Sequence, residues 1–358
     1  MCPVTDPLHI LIIRRDNIGD LICTTPLIHG LRTKYPEARI SVLASSYNAD
    51  LLDANPDLDE VFVFLKKHQK SHGYGRMAML WNRWRLLRTI RKQRVDYVIL
   101  ANGGMRYARA LGGKQLIGFR EPGEPEHRQP DLMALEHGGV TEHEVAKMAR
   151  LGAVLGAEET MGATKLFPNA TLVGKARERL VSLGWKPEKP SVALHLSSRN
   201  PLQRWPEESF VELAKALTAA GNLQVLLFWS PGAENDAMHP GDDGKAERIL
   251  ARLAGLPVFP CPTAAIKELI AFISLADQMI CSDGGAMHVA AALKKPIVCF
   301  FGPSHLQEWH PWGVPYVALQ KPSKSAADIT VAEALAACAE LQTKTDRPLS
   351  IQRLLPVT

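Results

Sequence analysis

The sequence predicts an α/β protein with two parallel-sheet domains in tandem. Short apolar runs of β-type residues alternate along the chain with helical patterns of about 12–15 residues. This alternation starts again after a proline-rich breaker at 186–190. The 358 residues also exceed the size at which a single core stops growing, roughly 250–300 residues. Such a pattern favours parallel strands covered by helices on both faces.

The first half opens with a continuous apolar run at 9–13, which is typical of a strand buried on both faces. The other predicted strands of this half are 39–44, 61–65, 97–100 and 115–119. Its predicted helices are 21–34, 76–92 and 142–155. These elements make up a predicted N-terminal domain over residues 1–167.

The second half repeats the plan in a predicted domain over residues 168–327. Its predicted strands are 191–196, 223–229, 278–281, 297–301 and 316–319. Its predicted helices include 170–183, 245–253, 266–275 and one that opens after Trp205. Residues 328–358 are interpreted as a C-terminal helix and tail that packs back on the N-terminal domain. Ligands of two such domains are expected in a cleft between them, at the carboxyl ends of the strands.

Composition indicates a globular protein with ample core, because 46% of the residues are hydrophobic and 22% are charged. The six cysteines are scattered without disulfide or zinc spacing, which favours buried thiols in a reducing compartment. No apolar stretch approaches the roughly 18 residues of a spanning helix, and no signal peptide pattern opens the chain. We therefore expect a cytoplasmic protein.

The net charge of +5 is unevenly distributed. The segment 66–94 holds ten lysine or arginine residues and no acidic residue, interleaved with apolar and aromatic side chains. A helix at 76–92 would place Leu80, Trp84, Leu87 and Ile90 towards one side. This helix could simply pack through that stripe, or it could bind an anionic partner such as an acidic glycolipid, a membrane leaflet or a nucleic acid. No nucleic-acid module is recognisable, so the lipid is favoured.

A candidate anion site follows the strand at 278–281. Asp283 is predicted as the N-cap of an alanine-rich helix, and Gly284 and Gly285 let a ligand lie directly against the backbone. Free amides, including that of Ala286, and the helix dipole suit a phosphate or pyrophosphate, and His288 could add a donor. The alternative is a capped helix in a βαβ unit with His288 half-buried.

Three motifs in register now resemble one family. They are Ile18-Gly19-Asp20 with Thr25-Pro26, Arg204-Trp205-Pro206-Glu207, and Asp283-Gly284-Gly285-Ala286-Met287-His288 with Phe301-Gly302-Pro303. Together they resemble the ADP-heptose:lipopolysaccharide heptosyltransferases, glycosyltransferase family 9. The resemblance covers about residues 9–313. It implies a GT-B fold with two Rossmann-like domains, an ADP-heptose donor in the C-terminal domain, and an anionic lipid A–core acceptor in the N-terminal domain. It also implies inversion at the anomeric carbon without a metal or a resident cofactor.

The same resemblance places Asp20 at the family's proposed general base. The residues alone are consistent with that role, because Asp20 begins a helix directly after a buried strand and should face the cleft. Asn17 and Gly19 would shape the adjacent loop. The alternative is a first-turn acid that serves only the start of its helix.

In the second domain, the resemblance assigns donor contacts to a group of residues around the glycine pair. Asp283 would contact the sugar, and the following three residues would bind the pyrophosphate with His288. Glu234 falls where the family often has an acid for the adenosine ribose, although a solvated loop acid fits equally well. The remaining candidates for phosphate contact are Ser197 and Ser198.

One position departs from the family pattern. Where the family usually has a lysine that holds the donor phosphates, this chain has Gln203. We expect Arg204 or Arg199 to supply the missing positive charge.

Other functions compete with this one. The chain could use a different nucleotide sugar, act as a nucleotide-sugar epimerase, or be a catalytically weak nucleotide-sugar-binding homologue. Asp57-Leu58-Asp59 spells the pattern with which metal-dependent transferases hold Mn²⁺, but it reads more simply as a turn. The basic segment argues against an epimerase, since a small substrate needs no such surface. It suggests instead peripheral contact with the cytoplasmic face of the inner membrane.

Overall fold

The computed structural model describes residues 7–66, 75–136, 138–157, 162–219, 222–236 and 240–345. By its internal contacts the chain divides into two compact units, Met1–Phe167 and Pro168–Thr358. Each unit contains one six-stranded sheet.

The first unit is built on a sheet with strand order β3-β2-β1-β4-β5-β6, in which all paired strands are parallel. Its central strand β1 is buried along its whole length, as its unbroken apolar sequence predicts. The elements in chain order are β1 (His9–Ile13), α1 (Ile18–Lys34), β2 (Arg39–Ser45), β3 (Glu60–Phe64), α2 (Arg76–Lys92), β4 (Tyr97–Leu100), α3 (Met105–Ala110), β5 (Gln115–Gly118), β6 (Leu132–Met133) and α4 (Glu144–Ala153).

The second unit repeats the arrangement with strand order β12-β11-β10-β7-β8-β9, again parallel throughout. The elements in chain order are α5 (Ala170–Ser182), β7 (Ser191–His195), α6 (Glu207–Ala219), β8 (Gln224–Trp229), α7 (Asp243–Arg252), β9 (Val258–Pro262), α8 (Ile266–Ser274), β10 (Gln278–Ser282), α9 (Gly285–Ala292), β11 (Ile297–Phe301), α10 (Leu306–Trp309), β12 (Tyr316–Gln320) and α11 (Val331–Thr343).

Both sheets therefore have the doubly wound order 3-2-1-4-5-6, and the predicted α/β fold class is confirmed. In this order the chain reverses direction across the sheet between the first and fourth strands. That point lies between β1 and β4 in the first unit and between β7 and β10 in the second. Ligands of open parallel sheets bind beyond the carboxyl ends of the strands at such points.

Four short elements were missed by the sequence analysis: α3, β6, β9 and α10, the last with four residues. Helix α3 has six residues and follows two glycines, and β6 has two residues. Strand β9 contains two prolines in five residues, and it is tolerated because it lies at the edge of the sheet. None of these segments carries enough periodicity to be recognised alone.

Helix α2 forms as predicted, but it packs on a different face. Its buried residues are Asn82, Leu86 and Ile90, one turn apart. Leu80 and Trp84, which were predicted to lie with Ile90, are 57% and 53% exposed. The buried amide of Asn82 explains the rotation, because it bonds the backbone around the end of β3 through Leu65 N and Val63 O. Residues 67–74 of the basic segment lie outside the described residues.

The last helix, α11, belongs to the second unit. Ala334, Ala337, Cys338 and Leu341 lie in the same core cluster as strands β7, β8 and β11. The Trp205 indole also donates to Ile329 O, just before this helix, at 2.7 Å. The apolar face of this helix is thus used within the second unit, and the predicted contact of residues 328–358 with the N-terminal domain stays a prediction. Residues 346–358 lie outside the described part of the chain.

The remaining expectations concern thiols and membrane spans. Within the described residues no disulfide forms, and five thiols are buried: those of Cys23, Cys261, Cys281, Cys299 and Cys338. Cys2 lies outside those residues. In the same part of the chain, no helix combines the length and hydropathy that crossing a bilayer requires.

Candidate active site

In the first unit, the buried guanidinium of Arg14 contacts three carboxylates at the end of β1. Arg14 is 2% exposed, and its Nη2 donates to Asp20 Oδ1 at 2.9 Å and to Glu144 Oε1 at 2.7 Å. Its Nε lies 3.1 Å from Asp16 Oδ1, and its Nη1 donates to Ala101 O at 3.0 Å. Elements distant in sequence are thereby joined beside the first switch point.

Asp20 has two roles in this arrangement. While its Oδ1 accepts from Arg14, its Oδ2 accepts from the backbone amide of Asn17 at 3.2 Å, which closes the first turn of α1. Gly19 is buried in the same turn. The carboxylate is thus not merely an acid that serves the start of its helix. It is held on both oxygens while 15% of its side chain stays exposed.

The sequence analysis missed the other members of this group. Burial raises the pKa of Asp16 to about 6, although the charge of Arg14 acts in the opposite direction. Glu144 is 4% exposed and lies 130 residues from its arginine partner. Because Arg14 is a charged residue at the end of a buried strand, the sequence indicated that an acidic partner should lie nearby. Nothing in the sequence identified Glu144 as one of these partners.

In the second unit, Asp283 follows β10 at the corresponding switch point and is 8% exposed. Its Oδ2 accepts from Gln203 Nε2 at 2.7 Å, and it also bonds the Ser304 hydroxyl and the Gly284 amide. Burial raises the pKa of Asp283, which these hydrogen bonds partly offset. The predicted N-cap role of Asp283 is wrong. The cap is Gly284, at φ 151°, a backbone conformation that favours glycine.

Gln203 connects the two loops that flank this site. Its Nε2 also donates to Ser304 Oγ at 2.8 Å, and its Oε1 accepts from Ser198 Oγ at 3.2 Å. Gly302 leaves room for it, since a Cβ there would lie 2.9 Å from Gln203 Cγ. The position at which the family usually has lysine is therefore occupied by a neutral amide that binds the carboxylate of Asp283.

The two arginines expected to replace that lysine differ in their surroundings. Arg204 Nε donates to Ser198 O at 2.9 Å, so its side chain is held against the same loop. Arg199 is exposed. Their role towards a donor phosphate remains a prediction.

The other predicted donor residues are distributed around this group. Ser197 Oγ accepts from Ser230 N at 2.8 Å. Glu234 pairs with Arg248 at 3.2 Å and is 45% exposed, and its contact with the adenosine ribose stays a prediction. His288 is 4% exposed in α9, with its ring edge-to-face against the indole of Trp309 at 6.0 Å. Direct side-chain hydrogen bonds thus join Ser198, Gln203 and Asp283, and Arg204 donates to the backbone of the same loop.

The Asp57-Leu58-Asp59 pattern has structural partners. Asp57 Oδ2 lies 2.9 Å from His29 Nδ1, and Asp59 Oδ2 accepts from Arg32 at 2.6 Å and from the Ile40 amide at 2.7 Å. These contacts tie α1 to the turn before β3. Among the described residues, no three His, Cys, Asp or Glu side chains come together as a metal site.

Two doubly wound sheets, one with an Asp-Gly-Gly loop at its switch point, agree with the GT-B class of glycosyltransferases. The chain matches the profile of glycosyltransferase family 9 (heptosyltransferase) over residues 83–335. That match spans more than half of the sequence. The chain therefore belongs to glycosyltransferase family 9 and is a glycosyltransferase.

Several characterised relatives are similar over most of their length. The chain is 26% identical over 311 residues to lipopolysaccharide heptosyltransferase 3 of Escherichia coli K12, covering 82% of each sequence. It is 26% identical over 316 residues to lipopolysaccharide heptosyltransferase 2 of Salmonella typhimurium, covering 83% of each. The protein is thus related to enzymes of lipopolysaccharide biosynthesis.

Solved structures share the fold. A glycosyltransferase family 9 protein from Veillonella parvula superposes with a TM-score of 0.80 at 19% identity, covering 95% of this chain and 98% of that one. The ADP-heptose lipopolysaccharide heptosyltransferase II of E. coli superposes with a TM-score of 0.69 at 21% identity, covering 94% of this chain and 100% of that one.

Proposed function

We propose that this enzyme transfers a heptose from ADP-heptose to a lipopolysaccharide inner-core acceptor, with inversion at the anomeric carbon and without a metal. The observation that carries the proposal is the Asp283-Gly284-Gly285 loop at the switch point of the second sheet. The relatives support it, since a structural neighbour from E. coli was solved with ADP and another with ADP-2-deoxy-2-fluoro heptose.

The donor would bind through the amides at the start of α9. The first N–H groups of a helix have no partner within it, and they carry the positive end of its dipole. In the proposal, Gly285 and Ala286 offer these amides to the diphosphate, while the buried Asp283 contacts the sugar. Since Gln203 is neutral, the proposal gives Arg204 or Arg199 the task of balancing the phosphate charge.

Asp20 would act on the acceptor. As an acceptor hydroxyl oxygen forms its bond to the anomeric carbon, the bond from that carbon to the ADP oxygen breaks and ADP leaves. The hydroxyl proton passes to Asp20. General base catalysis of this kind typically raises the reaction rate by about 10²–10⁴-fold. Attack on the face opposite the leaving group inverts the configuration, and the helix amides stabilise the departing diphosphate.

A product assay tests the proposal. The enzyme is incubated with truncated lipopolysaccharide cores and several nucleotide sugars, with and without EDTA. We expect a heptosylated core with inverted anomeric configuration from ADP-heptose only, at an unchanged rate in EDTA. Loss of activity in EDTA would contradict the metal-free mechanism. Conversion of free ADP-heptose without an acceptor would instead indicate an epimerase.

A surface on α2 supports contact with an anionic leaflet, which we propose is the cytoplasmic face of the inner membrane. Trp81 and Trp84 are 60% and 53% exposed, and Met77 is 79% exposed. Arg85 lies over the Trp81 ring at 5.5 Å and Arg88 over the Trp84 ring at 5.3 Å. Exposed tryptophans beside cations are typical of surfaces that bind at the lipid headgroups.

Replacing Trp81 and Trp84 together by alanine should weaken binding to vesicles containing phosphatidylglycerol by at least about tenfold, since both indoles would lose apolar burial. Vesicle co-sedimentation at low salt measures this. Val181→Ala with Leu183→Ala is the matched control, because these side chains are 48% and 47% exposed on the other unit. Equal binding by both double variants would exclude α2 as the contact surface.

A further inference from the structure

Arg15 follows Arg14, the buried arginine that contacts Asp16, Asp20 and Glu144, and its own guanidinium packs against aromatic rings. Its guanidinium lies 4.6 Å from the ring centroids of both Phe64, the last residue of β3, and Tyr107 of α3, and these two rings meet edge to face at 5.8 Å. Gly103, at φ 113°, allows this approach, since a Cβ there would lie 2.5 Å from Arg15 Nη2. The guanidinium is therefore packed against two aromatic rings and against a position without a side chain.

Two polar atoms at this place have no hydrogen-bond partner among the described residues. Arg15 Nε and the Tyr107 hydroxyl are both buried, and neither makes a hydrogen bond to the described residues. Buried donors of this kind are rare in folded proteins because each costs free energy when it is left unpaired. Two of them around one guanidinium indicate that this place is built to receive an acceptor of hydrogen bonds.

The two positive charges near Phe64 also favour binding of an anion. The Arg83 guanidinium lies 5.0 Å from the Phe64 centroid, so two cations share one aromatic ring. Burial lowers the pKa of Arg15, and the charge of Arg83 lowers it further. The positive charges of Arg15 and Arg83 repel each other, and a bound anion between them would remove this unfavourable electrostatic energy.

The position connects this group to the proposed chemistry. Arg15 is the residue after Arg14, whose Nη2 holds Asp20 at 2.9 Å. Asp16 interacts with Arg15 electrostatically and lies 3.1 Å from Arg14 Nε. Both arginines follow β1 at the first switch point, where ligands of open sheets bind.

We propose that Arg15, Arg83 and Tyr107 form a binding site for an anionic substituent of the acceptor sugar, either a phosphate monoester or a carboxylate. This inference rests on the proposed function, and it assigns recognition of one anionic group to the end of β1. A guanidinium edge can make two parallel hydrogen bonds to either group, and the tyrosine hydroxyl adds a third.

The test measures equilibrium binding of the acceptor in the absence of any donor sugar. Arg15→Gln is expected to lower affinity for the native core at least about tenfold, the usual cost of a hydrogen bond to a charged group. Tyr107→Phe should lower it severalfold. Arg106→Gln, an exposed arginine beside Tyr107, is the matched control and should bind normally.

Two modified acceptors identify the anion and separate the possible outcomes. If phosphatase treatment of the core removes the difference between wild type and Arg15→Gln, the group is a phosphate. If reduction of the sugar carboxylates removes it, the group is a carboxylate. A difference that survives both treatments, or no difference at all, would overturn the inference. Partial recovery in Arg15→Lys, with unchanged ADP affinity, shows that the variants are folded.

This design distinguishes the inference from the proposed function. Binding without a donor does not depend on which sugar is transferred. A failed heptose transfer would therefore leave the binding result intact, whereas normal transfer with unchanged binding by Arg15→Gln would refute only the Arg15 site.

Discussion

Replacement of Asp20 by alanine should lower turnover at least about a hundredfold while ADP still binds with unchanged affinity. The reason is that Asp20 belongs to the first unit and would act on the acceptor proton, whereas the proposed diphosphate contacts belong to α9 of the second. Initial rates with a lipopolysaccharide core and titration calorimetry with ADP measure the two quantities.

Asp20→Asn separates proton transfer from packing. An asparagine oxygen can still accept from Arg14 Nη2, so the bond to the buried arginine should persist, but the bond from the Asn17 amide is lost and the side-chain amide cannot take a proton. We expect the same loss of turnover as for alanine. Glu126→Gln, which removes a carboxylate that is 71% exposed, is the control and should be fully active. An active Asp20→Asn enzyme would remove Asp20 from the mechanism.

Replacement of Arg14 by methionine should destabilise the first unit by about 3–5 kcal/mol. The substitution leaves buried carboxylates without their cation, and Glu144 among them is 5% exposed in its side chain. Denaturant unfolding followed by a probe in the first unit measures the change. Adding Glu144→Gln to this variant should recover part of the loss, because it removes one uncompensated charge.

The matched control is Arg120→Met. Arg120 pairs with Glu126 at 2.9 Å, but its side chain is 54% exposed, so the expected cost is at most about 1 kcal/mol. Equal costs for Arg14→Met and Arg120→Met would show that the buried network does not stabilise the unit.

These two experiments concern one helix start, which the sequence predicted only in part. Asp20 was recognisable because it lies in a local motif, in the first turn of the helix that follows a buried apolar strand. Its arginine was six positions away, but the sequence carried no sign that Glu144 would complete the group across 130 residues. Local order along the chain reveals which residues are available, and only the packing of α4 against α1 shows which of them meet.

The second unit shows the same division. The sequence predicted the strand before the glycine pair Gly284-Gly285 and the helix that starts at this pair, since both features depend on neighbouring residues. The partner of Asp283 was not, because Gln203 is 80 residues away and reaches it from the loop after β7. The N-cap rule failed here because burial beside Gln203 and Ser304 outweighed the local preference of an aspartate for the helix start.

Helices α2 and α11 show that the sequence did not predict which face of a helix is buried. Periodicity located both helices, since the spacing of apolar residues is a local property. It could not choose between two apolar stripes on α2, where the amide of Asn82 and its backbone partners set the rotation. Nor could it say which sheet α11 covers. Alternation along the chain was enough to predict the longer strands and helices and the parallel α/β class. Contacts between distant residues decided which helix faces are buried and which charges are paired, because burial and pairing depend on neighbours that chain order does not name.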